Sequence, residues 1–332
     1  MTAFTLLIDG REERLDLTPG GRAPATTLLG WTRKPHGWCK GDACIPAFRA
    51  AEAEDEDGVD VVRFAALLGR TAVADLDEKV IAFGEGGEGG EGGLAEGVAP
   101  DFTLDGTALA DLRGKKVALV FWASWCGCRY DLAAWDERHR ELAPHGFSVV
   151  SVALDRNPED ARPWRKDLAH PALTDADGLV AELYNVINVP TVVWIDEEGR
   201  IVRPQDTMTA TDTFRSMNGL DSARSMEALR RWVVDGDPGL TPEAVREHLR
   251  LPTPEERRAR VHARLAAWFF GRDRRAAAVR HRDAAASLAP HDVTIRRGLM
   301  PLAGIDPFGD EYFTLRAELE SAGIPLYRPL PE

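Results

Sequence analysis

The chain runs through Phe121-Trp122-Ala123-Ser124-Trp125-Cys126-Gly127-Cys128-Arg129 directly after the apolar run Lys116-Val117-Ala118-Leu119-Val120. That run is too short for a helix and rich in strand formers, so it predicts a buried strand. Downstream, Leu132, Trp135, His139 and Leu142 recur at helical spacing, with Asp131, Asp136 and Glu137 in the early turns. Two cysteines therefore sit where a strand gives way to a helix. Unpaired N–H groups and the positive end of the helix dipole meet there, which favours thiolate over thiol. The thiolate is the nucleophile of disulfide exchange, so the position points to a reactive pair.

At 332 residues the chain can hold two or three domains with a substantial core. Its net charge of −13 argues against broad binding to nucleic acid or an anionic membrane, both of which need a basic face. The longest apolar stretches are strand-sized, so no membrane-spanning run is read. Residues Met1 to Gly10 lack a basic start, a long apolar core and a small-residue cleavage site, so the expected setting is cytoplasmic. The four cysteines form two close pairs, Cys39/Cys44 and Cys126/Cys128. In a reducing compartment such pairs point to redox or metal chemistry more than to stapling.

Near the start, Phe4 to Ile8 and Arg11 to Leu17 flank Asp9-Gly10, a hairpin turn signal. A loop dense in Gly and Pro follows, from Lys34 to Pro46, and carries Cys39 and Cys44. A short helix over 64–68 and a strand at Val80-Ile81 complete a small α+β module, residues 1–83. Residues 84–97 are almost only Gly, Glu, Ala and Leu, the composition of a flexible linker. They lack the Lys-Ser/Thr ending of a phosphate loop, and their glutamates would repel phosphate.

Residues 98–236 alternate strands (116–123, 147–154, 191–195, 200–202) with helices (128–142, 158–168, 179–184, 222–234), an α/β pattern. Residues 237–332 turn helical and charged, and Pro252-Thr253-Pro254-Glu255 opens a helix with proline near its front. Within that region Ala266, Phe269, Ala278, Ala285 and Pro290 fit one tetratricopeptide-like hairpin. A single such hairpin cannot bury its own face and is expected to dock on the middle domain. An ordinary helical hairpin fits the same residues.

The middle domain resembles thioredoxin-like proteins of the TlpA/ResA thiol-disulfide oxidoreductase type. The residues carrying the likeness are Ala99-Pro100-Asp101-Phe102-Thr103-Leu104, the Phe-Trp-Ala-Ser-Trp-Cys strand end, Ser151-Val152-Ala153-Leu154-Asp155, and Tyr184-Asn185-Val186-Ile187-Asn188-Val189-Pro190-Thr191. The resemblance implies that Pro190 is cis and faces the cysteines. It implies that Val189 offers backbone to an extended substrate, and that Trp125 shields the sulfurs and lines the groove. A plain strand-entry proline and ordinary core packing of Trp125 remain the alternatives.

The family pattern is Cys-x-x-Cys, whereas this chain has Cys126-Gly127-Cys128, one residue short. The upstream tryptophan marks Cys126 as the attacking cysteine, and the downstream arginine marks Cys128 as the resolving one. Residues two apart on a helix point about 200° away from each other. Cys126 is therefore expected in the loop before the helix, with Cys128 in the first turn and Gly127 free to bend. A disulfide closed over one residue makes a tighter ring than one closed over two, which predicts a relatively oxidising pair.

Other candidates carry open alternatives. Arg129 could stabilise a thiolate or face solvent, Asp155 could accept a proton or cap a turn, and His139 reads as packing or surface. Cys39 and Cys44 could form an auxiliary redox pair, a loop disulfide or, with His36, part of a metal site. No Ser-His-Asp arrangement, HExxH, Rossmann glycine pattern or peroxiredoxin signature is present, and no cofactor and no metal at the central pair is expected. The expected activity is thiol-disulfide exchange with a protein or small-molecule thiol or disulfide, served by an electron donor that the sequence does not identify. A metal-handling protein using paired thiolates for copper or zinc and a redox-inactive interaction module are the rivals.

Overall fold

A computed structural model describes residues 1–24, 26–86 and 91–331. At its centre lies a five-stranded sheet in the spatial order Ala172–Thr174, Phe147–Ala153, Lys116–Trp122, Thr191–Ile195, Ile201–Asp206. The first three strands run parallel, and Thr191–Ile195 is antiparallel to both its neighbours. Alternation along the central strand builds two cores: Val117, Leu119 and Phe121 enter one, Ala118 and Val120 the other. Helices cover both faces, as expected when parallel strands are buried on two sides. On the second face Trp194 stacks on Trp232 with ring centroids 4.8 Å apart. Lys116 Nζ donates to the carbonyls of Trp232 and Val233 at 3.0 and 3.1 Å, closing the last turn of the helix Ser222–Asp235. The fold is thus mixed α/β with a thioredoxin-like centre, a β-rich N-terminal region and C-terminal helices.

The strand Ala172–Thr174 carries no sequence signal of its own, because three residues leave too little alternation. The expected strand at 200–202 is the longer Ile201–Asp206, and the helix expected to reach residue 168 stops at Arg165.

The N-terminal region is richer in strands than the expected α+β module. Thr2–Ile8 and Arg11–Leu17 form the expected hairpin, and Val80–Phe83 joins Thr2–Ile8 in parallel. The expected cysteine loop is itself a hairpin: Gly37–Lys40 pairs with Ala43–Pro46, with Cys39 opposite Cys44. A backbone requirement fixes its entry, because a Cβ at Gly37 would lie 1.9 Å from the Ile45 carbonyl oxygen.

Of the segment 84–97, residues 87–90 lie outside the described residues. Gly84 N–H donates to the Thr71 carbonyl at 2.7 Å, and Leu94, on the short helix Glu91–Ala95, is buried in the central core. Leu94 is the one large apolar residue in that stretch, and it supplies burial that the overall composition conceals.

In the C-terminal region Pro254–Phe270 opens with a capping box between Thr253 and Glu256, and Arg275–Leu288 packs back against it. This hairpin does not dock its apolar face on the middle domain as expected. Val261, Leu265, Phe269, Ala277 and Ala278 instead cover Leu7, Val73, Val80 and Ala82 of the N-terminal sheet. That sheet face is apolar, whereas the central sheet is already closed by its own helices. The hairpin reaches the middle domain through charge. Buried Arg264 pairs with buried Glu182 at 2.9 Å and donates to the carbonyls of Asp177, at 3.2 Å, and Phe83. Glu182 also accepts from Glu85 N–H at 2.9 Å, so one ion pair joins all three regions. Among the described residues no helix is long and apolar enough to cross a membrane.

Candidate active site

Cys126 has extended backbone, φ −117° and ψ 143°, and is the last residue before the 3-10 turn Gly127–Asp131 that feeds the helix Leu132–Leu142. Cys128 sits in that turn, so the two cysteines take the places their spacing predicts. Both are free thiols and both are buried. Cys128 N–H donates to Cys126 Sγ at 3.2 Å, and the Cys126 thiol faces the Val189 carbonyl at 3.6 Å. The Val189–Pro190 peptide is cis, as the resemblance implies, and Pro190 lines the same cavity as the two sulfurs.

Gly127 does not use its freedom to bend, since its φ lies outside the left-handed region. What matters is its missing side chain: a Cβ there would lie 2.6 Å from Phe214 Cε2. The glycine lets the Phe214 ring close against the turn.

The electrostatics separate the two sulfurs. Burial pushes the Cys126 thiol up, but hydrogen bonds from Cys128 and the nearby Arg297 guanidinium bring it below its ordinary value. Burial, together with the Cys126 charge beside it, pushes Cys128 well above its ordinary value. Cys126 is therefore the sulfur that ionises first, and Cys128 holds its proton.

Asp155 is buried at the end of its strand and accepts from Ser124 N–H at 2.9 Å and from the Ser124 hydroxyl at 2.5 Å. Burial raises its carboxyl from 3.8 to about 6, against the pull of those Ser124 bonds. Its oxygens are engaged with Ser124, and it is absent from the described lining of the cavity. Arg129 donates to the Ser124 carbonyl and stacks near Tyr130 and Trp164, each ring centroid 4.8 Å away. Trp125, expected along the groove, is buried in the core instead, with the Arg297 guanidinium 5.7 Å from its ring. His139 accepts from Val149 N–H at 3.2 Å, a packing role.

Cys39 and Cys44 are joined in a disulfide, with His36 Nε2 3.3 Å from Cys39 Sγ. The hairpin that holds them surrounds a separate N-terminal core, and no residue of that region is among those described as lining the Cys126 cavity. The structure therefore does not bring the two pairs together.

The cavity over Cys126 and Cys128 measures about 310 Å³. Beyond the Cys126–Asp131 turn and Pro190, its walls include residues outside every sequence motif, among them Phe214, Arg297, Phe308, Tyr312, Arg316 and Tyr327. Five of these six lie after residue 296, beyond the helical hairpin read in the sequence. Burial holds the Tyr327 phenol protonated, reinforced by Tyr312 and by the charges of both cysteines, and Tyr327 lines the same cavity.

Residues 96–203 match the AhpC/TSA family. The thioredoxin-like protein YneN of Bacillus subtilis is 37% identical over 137 residues, spanning 38% of this chain and 78% of that protein. The thiol-disulfide oxidoreductase ResA of the same organism is 30% identical over 129 residues, 36% of this chain and 72% of that one. Among solved structures, StoA of Bacillus subtilis is 26% identical and covers 34% of this chain and 93% of its own, with a TM-score of 0.30. A cis-proline beside a buried pair of free thiols, within the residues 96–203 that match the family, joins geometry to kinship: the chain belongs to the AhpC/TSA redoxin family and is a distant homologue of the ResA/TlpA-type thiol-disulfide oxidoreductases.

Proposed function

We propose that Cys126 and Cys128 carry out thiol-disulfide exchange, with Cys126 as nucleophile and Cys128 as resolving thiol. The observation that carries this reading is the Cys128 N–H donating to Cys126 Sγ at 3.2 Å at a helix start, which favours the Cys126 thiolate. Attack of that thiolate on a substrate disulfide gives a mixed disulfide. Cys128 then loses its proton and displaces the substrate sulfur. Withholding the second thiolate until the first is consumed suits a raised Cys128. A stabilised thiolate and a one-residue ring both favour the reduced form, so the pair is more oxidising than thioredoxin at about −270 mV. A redox titration that returns thioredoxin's potential or a lower one refutes that value. Trapping with Cys128→Ser tests the mechanism, and the absence of any mixed disulfide on Cys126 would count against it.

The partners in this reading are a disulfide or thiol substrate and a separate electron donor, in a cytoplasmic setting. The hairpin of Pro254–Phe270 and Arg275–Leu288 is read as tetratricopeptide-like in sequence and acts here as a cover for the N-terminal sheet. A second reading concerns the N-terminal hairpin. His36, Cys39 and Cys44 place their ligand atoms within 4.8 Å of one another, so the reduced hairpin has three donors for zinc or copper(I). Metal titration of the reduced protein, with Cys39→Ser/Cys44→Ser as control, decides it.

A further inference from the structure

Thioredoxin-like folds offer the backbone beside the cis-proline to an extended chain, and here Val189 N–H is taken by the Asn188 side chain at 2.8 Å while the C-terminal segment lies close by. Asn188 Nδ2, two residues before Pro190, donates to the Leu326 carbonyl at 2.6 Å. Thr207 N–H donates to the Arg328 carbonyl at 3.3 Å, and Arg328 N–H returns a bond to the Thr207 hydroxyl at 3.0 Å. Leu330 N–H donates to Asp206 at 2.8 Å, while Arg203 donates to the Leu330 carbonyl at 3.1 Å. The segment 326–330 is thus pinned along the edge strand Ile201–Asp206 and its exit, with Tyr327 in the lining of the cavity that holds the sulfurs. What stays open is the cavity of about 310 Å³, a volume suited to a small organic molecule.

The charge of that cavity opposes the charge of the chain. Arg129, Arg297 and Arg316 all line it, and none of the three forms an ion pair with a carboxylate among the described residues. Arg297 lies 3.5 Å over the Tyr312 ring and spends its Nε on the Pro307 carbonyl at 2.8 Å, so its outer nitrogens are not taken by those contacts. Asp131 is the acid in the lining, and its oxygens are engaged by the Thr211 hydroxyl at 2.5 Å and Ala210 N–H at 3.1 Å. Thr209, also in the lining, is 6% exposed and keeps a hydroxyl with no partner among the described residues. Three cations and an unused hydroxyl in a chain of net charge −13 make an anion site next to the sulfurs.

Building on the exchange reading above, we propose that the substrate is a small organic disulfide bearing carboxylates, rather than an extended protein segment. The Cys126 thiolate attacks one substrate sulfur, forming the mixed disulfide and expelling the other half as a thiolate. Cys128 loses its proton and attacks Cys126 Sγ, which releases the second half. The substrate disulfide is reduced to two thiols, the enzyme dithiol is oxidised to a disulfide, and the two protons of the dithiol pass to the products.

The test follows the oxidation of Cys126 and Cys128 in the reduced full chain, by quench-flow and peptide mass spectrometry. Three disulfides of similar size are compared: 3,3′-dithiodipropionate, with two carboxylates, neutral bis(2-hydroxyethyl) disulfide, and cystamine, with two ammonium groups. The carboxylate reagent is expected to react about ten-fold faster than the neutral one, the worth of one charge-assisted hydrogen bond, and cystamine slower than either. Half-buried Arg316 can be changed without opening the core: Arg316→Gln lowers the carboxylate-to-neutral ratio about three-fold or more, and Arg316→Lys restores most of it. Equal rates for the three, faster reaction of cystamine, or faster reduction of insulin than of dithiodipropionate overturns the substrate assignment and leaves the exchange chemistry standing. If none of the reagents oxidises the pair, the exchange reading falls first and takes this proposal with it.

Discussion

Replacing Asp155 with asparagine should change how stability depends on pH. The carboxyl is 1% exposed, and burial lifts it from 3.8 to about 6, so the fold favours its neutral form. Because the folded value lies above the unfolded one, this stabilisation is complete below about pH 4. It is lost as pH rises towards 6 and stays lost above that. A shift of about two units corresponds to about 3 kcal/mol across that window. The introduced amide would keep an acceptor for Ser124 N–H and gain a donor for the Ser124 hydroxyl, so it imitates the protonated acid without titrating. Urea unfolding of parent and Asp155→Asn proteins at intervals from pH 4 to pH 8 reads the difference directly. The variant should gain on the parent by up to about 3 kcal/mol between pH 4 and pH 6.5, then run parallel to it. A difference that stays constant over the whole range would show that burial does not hold this carboxyl neutral, and the account of Asp155 would fail.

Gly127→Ala forces a Cβ to 2.6 Å from the Phe214 ring; the half-buried ring can move aside, so a cost of about 1 kcal/mol is expected in thermal unfolding, together with slower oxidation by small disulfides. The thiolate fraction of Cys126, followed by iodoacetamide alkylation against pH, should show a midpoint below the ordinary thiol value, and Arg297→Gln should move it up. Cys39→Ser/Cys44→Ser opens a short disulfide-closed loop and should cost about 2 kcal/mol while leaving turnover at Cys126 intact; lost turnover would reinstate an electron relay between the pairs. Trp232→Ala removes the partner stacked on Trp194 and should cost about 3–5 kcal/mol in denaturant unfolding.

The sequence displays the strands Lys116–Trp122 and Phe147–Ala153 of the central sheet because they are long and apolar, whereas the edge strand Ala172–Thr174 is too short to show. Local chemistry also made the placement of Cys126 before the turn and Cys128 within it legible, since residues two apart cannot share a helix face. The cis peptide at Pro190 was legible only through kinship. The cavity walls were not legible. Arg297, Tyr312 and Tyr327 line the cavity from more than half the chain away; Tyr312 recurs with Leu315 and Leu319 at helical spacing, but that spacing does not say what the face covers. The hairpin's docking partner was hidden for a related reason: Val261, Leu265 and Phe269 announce an apolar stripe but not which sheet it covers. Gly127 was legible as a glycine and misread as a hinge, because the Phe214 ring that excludes a side chain lies far along the sequence.

The ion pair of Arg264 and Glu182 bears on how this protein could be taken apart. Its atoms meet backbone from Phe83 and Glu85 on one side and Asp177 on another. Excising the middle segment would leave Glu182 buried without its cation, and lending the helices to another scaffold would strand Arg264. A chimaera that exchanges one segment with a relative must carry both halves of the clamp, or replace the pair with apolar residues of matching volume.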